Sequence, residues 1–401
     1  MPQNGVQVAI ATNQLLANLI PLQVLQPAVC WLLVSESMAK SIDVFGELVE
    51  KKCPDTQLVI REGLPDAGAE KILDFLLSED EAIKQAHPEM AVDYNATGGT
   101  KLMAIIAYQV FSSDPANRVL YASTERNEIE VVEPQGEAPI AIELANDEET
   151  YLLAYGLIRR KADSDNPVWR ETAQSRKTLT YYLAKNCQRY GNAFSLINGA
   201  ASRCEKSGTK HQPVTKIWGE AKALLNRLND ESLLQWSAHE PSQIYFHDRA
   251  YLTYLSGGWL EEYVWITAQA CGFDELSAGR DITTREETKK NIRNELDCVI
   301  THNNRLLVIE CKSGQFGLND QKDSDILNKL ESLGRRAGGV MGSALLVSAQ
   351  PLNRVNKGRN QTIYTAERAK LMGVAVLEEQ HVSALQTWLE TWRDTGHFPS
   401  N

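Results

Sequence analysis

Between Glu295 and Gly314 the chain reads ELDCVITHNNRLLVIECKSG, two apolar runs joined by Asn303 and Asn304. Asparagine tolerates positive φ, so two in succession predict a two-residue type I′ turn and a β-hairpin. Such a turn fixes the register: Asp297 is expected opposite Glu310, and Glu295 opposite Lys312. Strand side chains alternate in face. Glu295, Asp297, Glu310 and Lys312 therefore share one face, and Leu296, Cys298, Ile300, Leu307, Ile309 and Cys311 share the other. Opposed Cβ atoms lie about 4.5–5.5 Å apart, and like charges directly opposite destabilise a sheet. Two carboxylates at that spacing want a cation between them, and oxygen donors beside one lysine suit Mg2+ or Mn2+. The plainer alternative is a solvated hairpin face with a Glu295–Lys312 pair. Against it, the far end of the same face carries Val299, Thr301, Leu306 and Val308.

The chain has 401 residues, a length that suggests two or three domains. No apolar run approaches the ~20 residues of a membrane span. The first basic residue is Lys40 and polar residues interrupt the early apolar pattern, so no secretory signal is expected. The seven cysteines form no CxxC pair. They read as buried thiols of a cytoplasmic protein, with no structural zinc site. The net charge is −11, but residues 1–150 hold 9 Lys/Arg against 24 Asp/Glu, whereas residues 279–370 hold 16 against 11. Such asymmetry suggests separate tasks, with the C-terminal part able to attract a polyanion.

Apolar runs at 6–11, 29–34 and 58–60 read as strands, and residues 42–52 and 69–77 as helices between them. A further strand precedes Asn95, a helix follows from about Thr100, and 118–122 is strand-like. Strands alternating with helices predict a parallel, doubly wound sheet, which binds ligands beyond the carboxyl ends of its strands. Residues 123–144 look like a β-rich extension. Residues 146–240 have helical spacing broken at Gly191, Gly199, Gly208 and Pro213, and are expected to form a helical connector. A second α/β domain is expected over 241–401.

The segment DYNATGGTK ends one expected strand and opens the next helix. Gly98 and Gly99 permit positive φ and close backbone approach, and a helix N-terminus suits a phosphate. Thr97 and Thr100 add hydroxyls, Lys101 adds a charge, and Asn95 is placed to orient a base or ribose. A tight strand-to-helix turn capped by threonine is the simpler alternative. Thr12, Asn13 and Gln14 after the first strand, and Ser35 and Glu36 after the second, are expected at the same edge.

A polar loop after the first strand and N-A-T-G-G-T-K after a later one resemble the CARF domain, the Rossmann-like sensor of CRISPR systems. The resemblance covers residues 1–145 and implies a homodimer that binds a cyclic oligoadenylate across its two-fold axis. Asp297-x12-Glu310-x-Lys312 resembles the PD-(D/E)xK, restriction-endonuclease-like core. The proline that this family places before its Asp is missing here. The resemblance implies that Asp297, Glu310 and the Cys311 backbone carbonyl hold Mn2+ or Mg2+, with Lys312 catalytic and Glu295 assisting. It also implies a preceding helix with a further acid, matched by Glu261 in GGWLEEYVWITAQACGF, with Glu262 as the fallback. Lys329, Arg335 and Arg336 would meet nucleic-acid phosphates. Together the two resemblances imply a cytoplasmic type III CRISPR ancillary nuclease, switched on by cyclic tetra-adenylate and cutting DNA, RNA or both. The other class of reading is a non-enzymatic, cyclic-nucleotide-sensing regulator that only binds nucleic acid. A sensor domain that also degrades its own ligand is compatible with Lys101 and Thr97.

Overall fold

The computed structural model describes residues 3–123, 125–214, 217, 219–285, 294–314, 327, 328, 330, 342–356 and 361–399. The chain divides into two units, the first made of residues 1–159 together with two short later segments and the second of the rest. Among the described residues no helix is long and apolar enough to cross a membrane.

In the first unit β1 (Gln3–Ile10), α1 (Leu15–Leu25), β2 (Pro27–Ser35), α2 (Ile42–Lys52), β3 (Gln57–Leu64), α3 (Ala69–Ala86), β4 (Ala91–Asn95), α4 (Lys101–Phe111) and β5 (Arg118–Ser123) alternate as expected. The extension supplies β6 (Glu128–Glu133) and β7 (Ile140–Ala141), and α5 (Glu148–Ala154) follows. The sheet order is β3-β2-β1-β4-β5-β6-β7. Strands β1 to β5 pair in parallel; β6 and β7 are antiparallel additions. Helices cover both faces, so β1 and β2 are apolar on both. Val8 and Leu33 are buried on one side in the cluster that takes in Met103 and Phe111 of α4, while Ala9 and Leu32 are buried on the other. Chain order reverses at β1, which has β2 on one side and β4 on the other. The crevice beyond their carboxyl ends is the topological switch point where such sheets bind ligands.

The second unit contains β8 (Leu157–Ala162), α6 (Pro167–Ser175), α7 (Lys177–Lys185), α8 (Cys187–Ser207), β9 (His211–Pro213), α9 (Gly219–Asp230), β10 (Leu234–Ser237), β11 (Glu240–Phe246) and α10 (Arg249–Thr253). After these come α11 (Trp259–Cys271), β12 (Glu275–Thr284), β13 (Asn294–His302), β14 (Arg305–Lys312), β15 (Gly342–Ser348), β16 (Asn353–Asn356), β17 (Gln361–Tyr364), α12 (Thr365–Leu371), β18 (Ala375–Leu377) and α13 (Leu385–Thr395). The main sheet has the order β18-β15-β14-β13-β12-β8. The expected hairpin is β13–β14. Asn303 and Asn304 take φ of 47° and 55°, and pairing runs from His302–Arg305 to Cys298–Ile309.

The stretch 146–240 departs from the expected connector. Among the described residues it has no separate core: Leu183, Phe194 and Leu224 share one apolar cluster with Val264, Ile309 and Val347. Gly191 and Gly199 do not break it, because α8 runs through both and ends at Gly208, in a left-handed cap at φ 70°. Lys329, Arg335 and Arg336 lie outside the described residues, as does most of the helix expected over 326–339.

Candidate functional site

The two sets of expected site residues fall in different units. In the first unit, Asn95 ends β4 beside Ala9 of β1. It is fully buried. Its amide donates to Ala17 O at 3.0 Å and Asn18 Oδ1 at 3.1 Å. Its oxygen accepts from Thr97 N at 3.1 Å and Thr97 Oγ1 at 2.6 Å. Thr97 Oγ1 also accepts the Ala122 N–H at 2.8 Å, so its hydroxyl is spent on the turn as well. Asn18, a buried polar residue in the largely apolar α1, completes this network by donating to Ile10 O at 2.8 Å.

Gly98 is required for a reason other than the expected positive φ: a Cβ there would stand 2.3 Å from Ile10 O. Gly99 is the residue in the left-handed region, at φ 81°. Ser35 is buried, and its hydroxyl pairs with Ser37 Oγ at 3.0 Å. Ser37 Oγ in turn donates to Asp66 Oδ1 at 2.6 Å. These two hydroxyls hold the Asp66 carboxyl below its ordinary range. Ser35, Asn95, Thr97 and Gly98 therefore shape the crevice. Its exposed rim is Asn13, Gln14, Glu36, Gly99, Thr100 and Lys101, with Thr12 half-buried. Thr100 caps α4 by accepting the Met103 N–H at 3.3 Å. Lys101 and the first-turn N–H groups thus sit at an anion-friendly helix end.

In the second unit the ladder of β13 and β14 ends, among the described residues, at Cys298–Ile309. Continued by one residue, that register brings Asp297 in line with Glu310. The Cys311 N–H donates to Asp297 Oδ2 at 2.6 Å, so the side chain takes the place of a strand carbonyl. The hairpin strands are buried on both faces over 298–301 and 306–309, then open: Glu310, Cys311 and Lys312 are half-buried. The charged residues of the hairpin sit where the sheet meets water, which is why the strands tolerate them.

Glu261, in the first turn of α11, joins them. Its pKa is pushed up to about 7, by burial and by the negative field of Glu295, Asp163 and Glu310. Glu262 is structural instead: it is buried and held by Arg176, whose Nε lies 3.3 Å from Oε2. Asp163 was not legible as a site residue. It follows β8, and a Cβ on Gly279 would stand 2.8 Å from its Cγ. Burial and neighbouring Asp281 raise its pKa. Sequence reasoning also missed Asn198 of α8, which donates to Ser313 Oγ at 2.8 Å, next to Lys312. Nothing in local sequence marks either residue, since both reach the site across more than a hundred positions of chain. Among the described residues no three His, Cys, Asp or Glu side chains converge as a metal cluster.

Two stability outcomes follow from this arrangement. Glu261 has a folded pKa of about 7 against an ordinary 4.5, so native protein binds the extra proton between those values. Wild-type stability therefore falls as pH rises through that window. In chelator, Glu261→Gln is expected to raise urea-unfolding stability at pH 8 by on the order of 1 kcal/mol, and to change it little at pH 4.5. Glu262→Ala is expected to cost about 3 kcal/mol, because it strands Arg176. An equal loss from both substitutions would contradict these assignments. Gly98→Val is expected to destabilise the protein by about 1–3 kcal/mol through its clash with the β1 backbone; an unchanged urea midpoint would contradict the close approach.

Comparison with known proteins agrees with this geometry. The Card1 CARF domain model matches residues 6–146, and the Card1-like endonuclease domain model matches residues 248–395. No curated protein matches the chain. Among solved structures, protein VC1899 from Vibrio cholerae superposes with a TM-score of 0.77 at 21% identity, over 98% of this chain and 99% of that one. Can2 from Sulfobacillus thermosulfidooxidans, solved with cyclic tetra-adenylate, gives 0.74 at 22% identity, over 98% of each chain. By its two matched domains, which together span most of its length, the chain belongs to the Card1-like family of CARF endonucleases.

Proposed function

We propose that this protein is a nuclease of type III CRISPR defence, activated by cyclic tetra-adenylate and acting as a cytoplasmic homodimer on DNA, RNA or both. The observation that carries the reading is the pairing, in one chain, of an exposed glycine-threonine-lysine helix start at a sheet switch point with Asp297, Glu310 and Lys312 at an open strand end. The Can2 complex with cyclic tetra-adenylate supports the choice of activator.

In the first unit, Gly99, Thr100 and Lys101 offer backbone N–H groups, a hydroxyl and an ammonium to ligand phosphates, with Thr12, Asn13, Gln14 and Glu36 around the base or ribose. In the second unit, Asp297, Glu310 and the Cys311 carbonyl would hold Mn2+ or Mg2+. The fit rests on two features: every donor is a hard oxygen, and the surrounding carboxylates already penalise ionisation of Glu261. With few protein donors, the ion would draw the rest of its shell from water and phosphate, as Mg2+ commonly does. Such a cation supplies Lewis acidity toward a phosphate. Lys312 places a positive charge beside the scissile group. Glu261, with a pKa of about 7, can hold or release a proton near neutral pH. Glu295 adds to the field that sets that value.

A second reading is a regulator that binds nucleic acid without cutting it. Cleavage of labelled single-stranded DNA and RNA, with and without cyclic tetra-adenylate and Mn2+, decides between them. Cleavage is expected only with both present. Asp297→Ala and Glu310→Ala are expected to reduce it to background while leaving activator binding near wild type. Lys101→Ala is expected to weaken activator binding by roughly 1.5–3 kcal/mol for each charged hydrogen bond that the lysine makes to a phosphate. By linkage, saturating nucleic acid should tighten activator binding to the Glu310→Ala protein by the factor through which activator tightens nucleic acid. Nucleic-acid binding without cleavage under all conditions would favour the regulator.

A further inference from the structure

The second unit holds a cavity of about 550 Å3 whose walls include Gln188, Arg189, Gly191, Asn192, Gln350 and Glu379. It borders the edge that carries Lys312. Lys312 of β14 pairs with Ser348 of β15, the Ala349 N–H donates to Lys312 O at 2.9 Å, and Gln350 is the next residue. Helix α8 links the same two places. Asn192 lines the cavity, and Asn198 donates to Ser313 Oγ; six helical residues separate them by about 9 Å along the axis.

The lining is built for a neutral, flat, polar group. Gln350 is buried, and its amide is fixed by donation to Gly191 O. Gly191 leaves room: a Cβ there would stand 3.5 Å from Glu379 Oε2 and 3.6 Å from Gln350 Oε1. Arg189 is paired with Glu220 at 2.6 Å, so Glu379 leaves the lining net negative. A phosphate is therefore disfavoured. Amide side chains and a carboxylate are the groups that read base edges, the carboxylate accepting from an exocyclic amine. A volume of several hundred Å3 accommodates one base.

We propose that this cavity receives one nucleobase of the substrate strand, turned out beside the scissile phosphate, and selects bases with an exocyclic amino group over uracil and thymine. Enzymes that draw a base out of its stack read it in such pockets. The inference rests on the nuclease reading. It makes the cavity a specificity subsite of that reaction.

The test is sequencing of the ends produced from randomised single strands, DNA and RNA, by the activated protein with Mn2+. Wild type is expected to disfavour uracil and thymine at one fixed position from the cut. Glu379→Gln, which can donate as well as accept, is expected to relax that bias by roughly tenfold. Gly191→Phe, which fills the cavity, is expected to lower cleavage and abolish the bias, with activator affinity and melting temperature near wild type. No positional bias in wild type, or the same bias in both variants, would overturn the subsite alone. Absence of all cleavage by wild type would overturn the nuclease reading and the subsite with it.

Discussion

The hydrogen bond from the Cys311 N–H to Asp297 Oδ2 sets the form of the second unit's site. Strands β13 and β14 are buried on both faces over most of their length, so each backbone donor there must find a partner. At Cys311 a side chain serves in place of a strand carbonyl. The ladder can then end while the donor stays satisfied, and the Asp297 carboxylate is fixed by the same bond. Beyond it the sheet opens to water, and Glu310 and Lys312 occupy the opening. Glu261 and Asp163 come up to this end from other elements. Burial first, and then the resulting crowd of carboxylates, raises the Glu261 pKa. Structure alone gives that crowding no benefit; a bound cation would.

The first unit solves the opposite problem. Its candidate ligand edge needs an exposed, firmly held backbone, and buried amides provide it. Asn95 and Asn18 consume their hydrogen-bonding capacity on Ile10, Ala17 and Thr97, so the loop before α4 is fixed from below. Gly98 lets that loop pass against β1. Gly99, Thr100 and Lys101 are left at the surface. Buried members of the motif thus hold in place the backbone that its exposed members present.

The sequence was most readable where local chemistry decides structure. Two asparagines specified the type I′ turn, and the turn specified the register that Cys298–Ile309 obeys. Alternating strands and helices specified the doubly wound sheet. The ion pair with Arg176 occupies Glu262, while Glu261 stands in the field of the hairpin carboxylates. Legibility failed where long-range packing decides. Asp163 and Asn198 reach the second site from a stretch that reads as a connector. Gly191 and Gly199 look like helix breaks, yet packing carries α8 through them. The bond from the Cys311 N–H to Asp297 Oδ2 likewise left no mark in the alternation of the hairpin's residues.

Calorimetric titration of Mn2+ at pH 7, run in two buffers of different ionisation enthalpy, tests most directly whether the carboxylates around Asp297 and Glu310 form a cation site. A bound cation should lower the Glu261 pKa from about 7, so binding is expected to release a fraction of a proton. That release should vanish in Glu261→Gln, and the binding itself should disappear in Glu310→Ala. Binding without proton release in wild type, or equal Mn2+ affinity in wild type and Glu310→Ala, would contradict it.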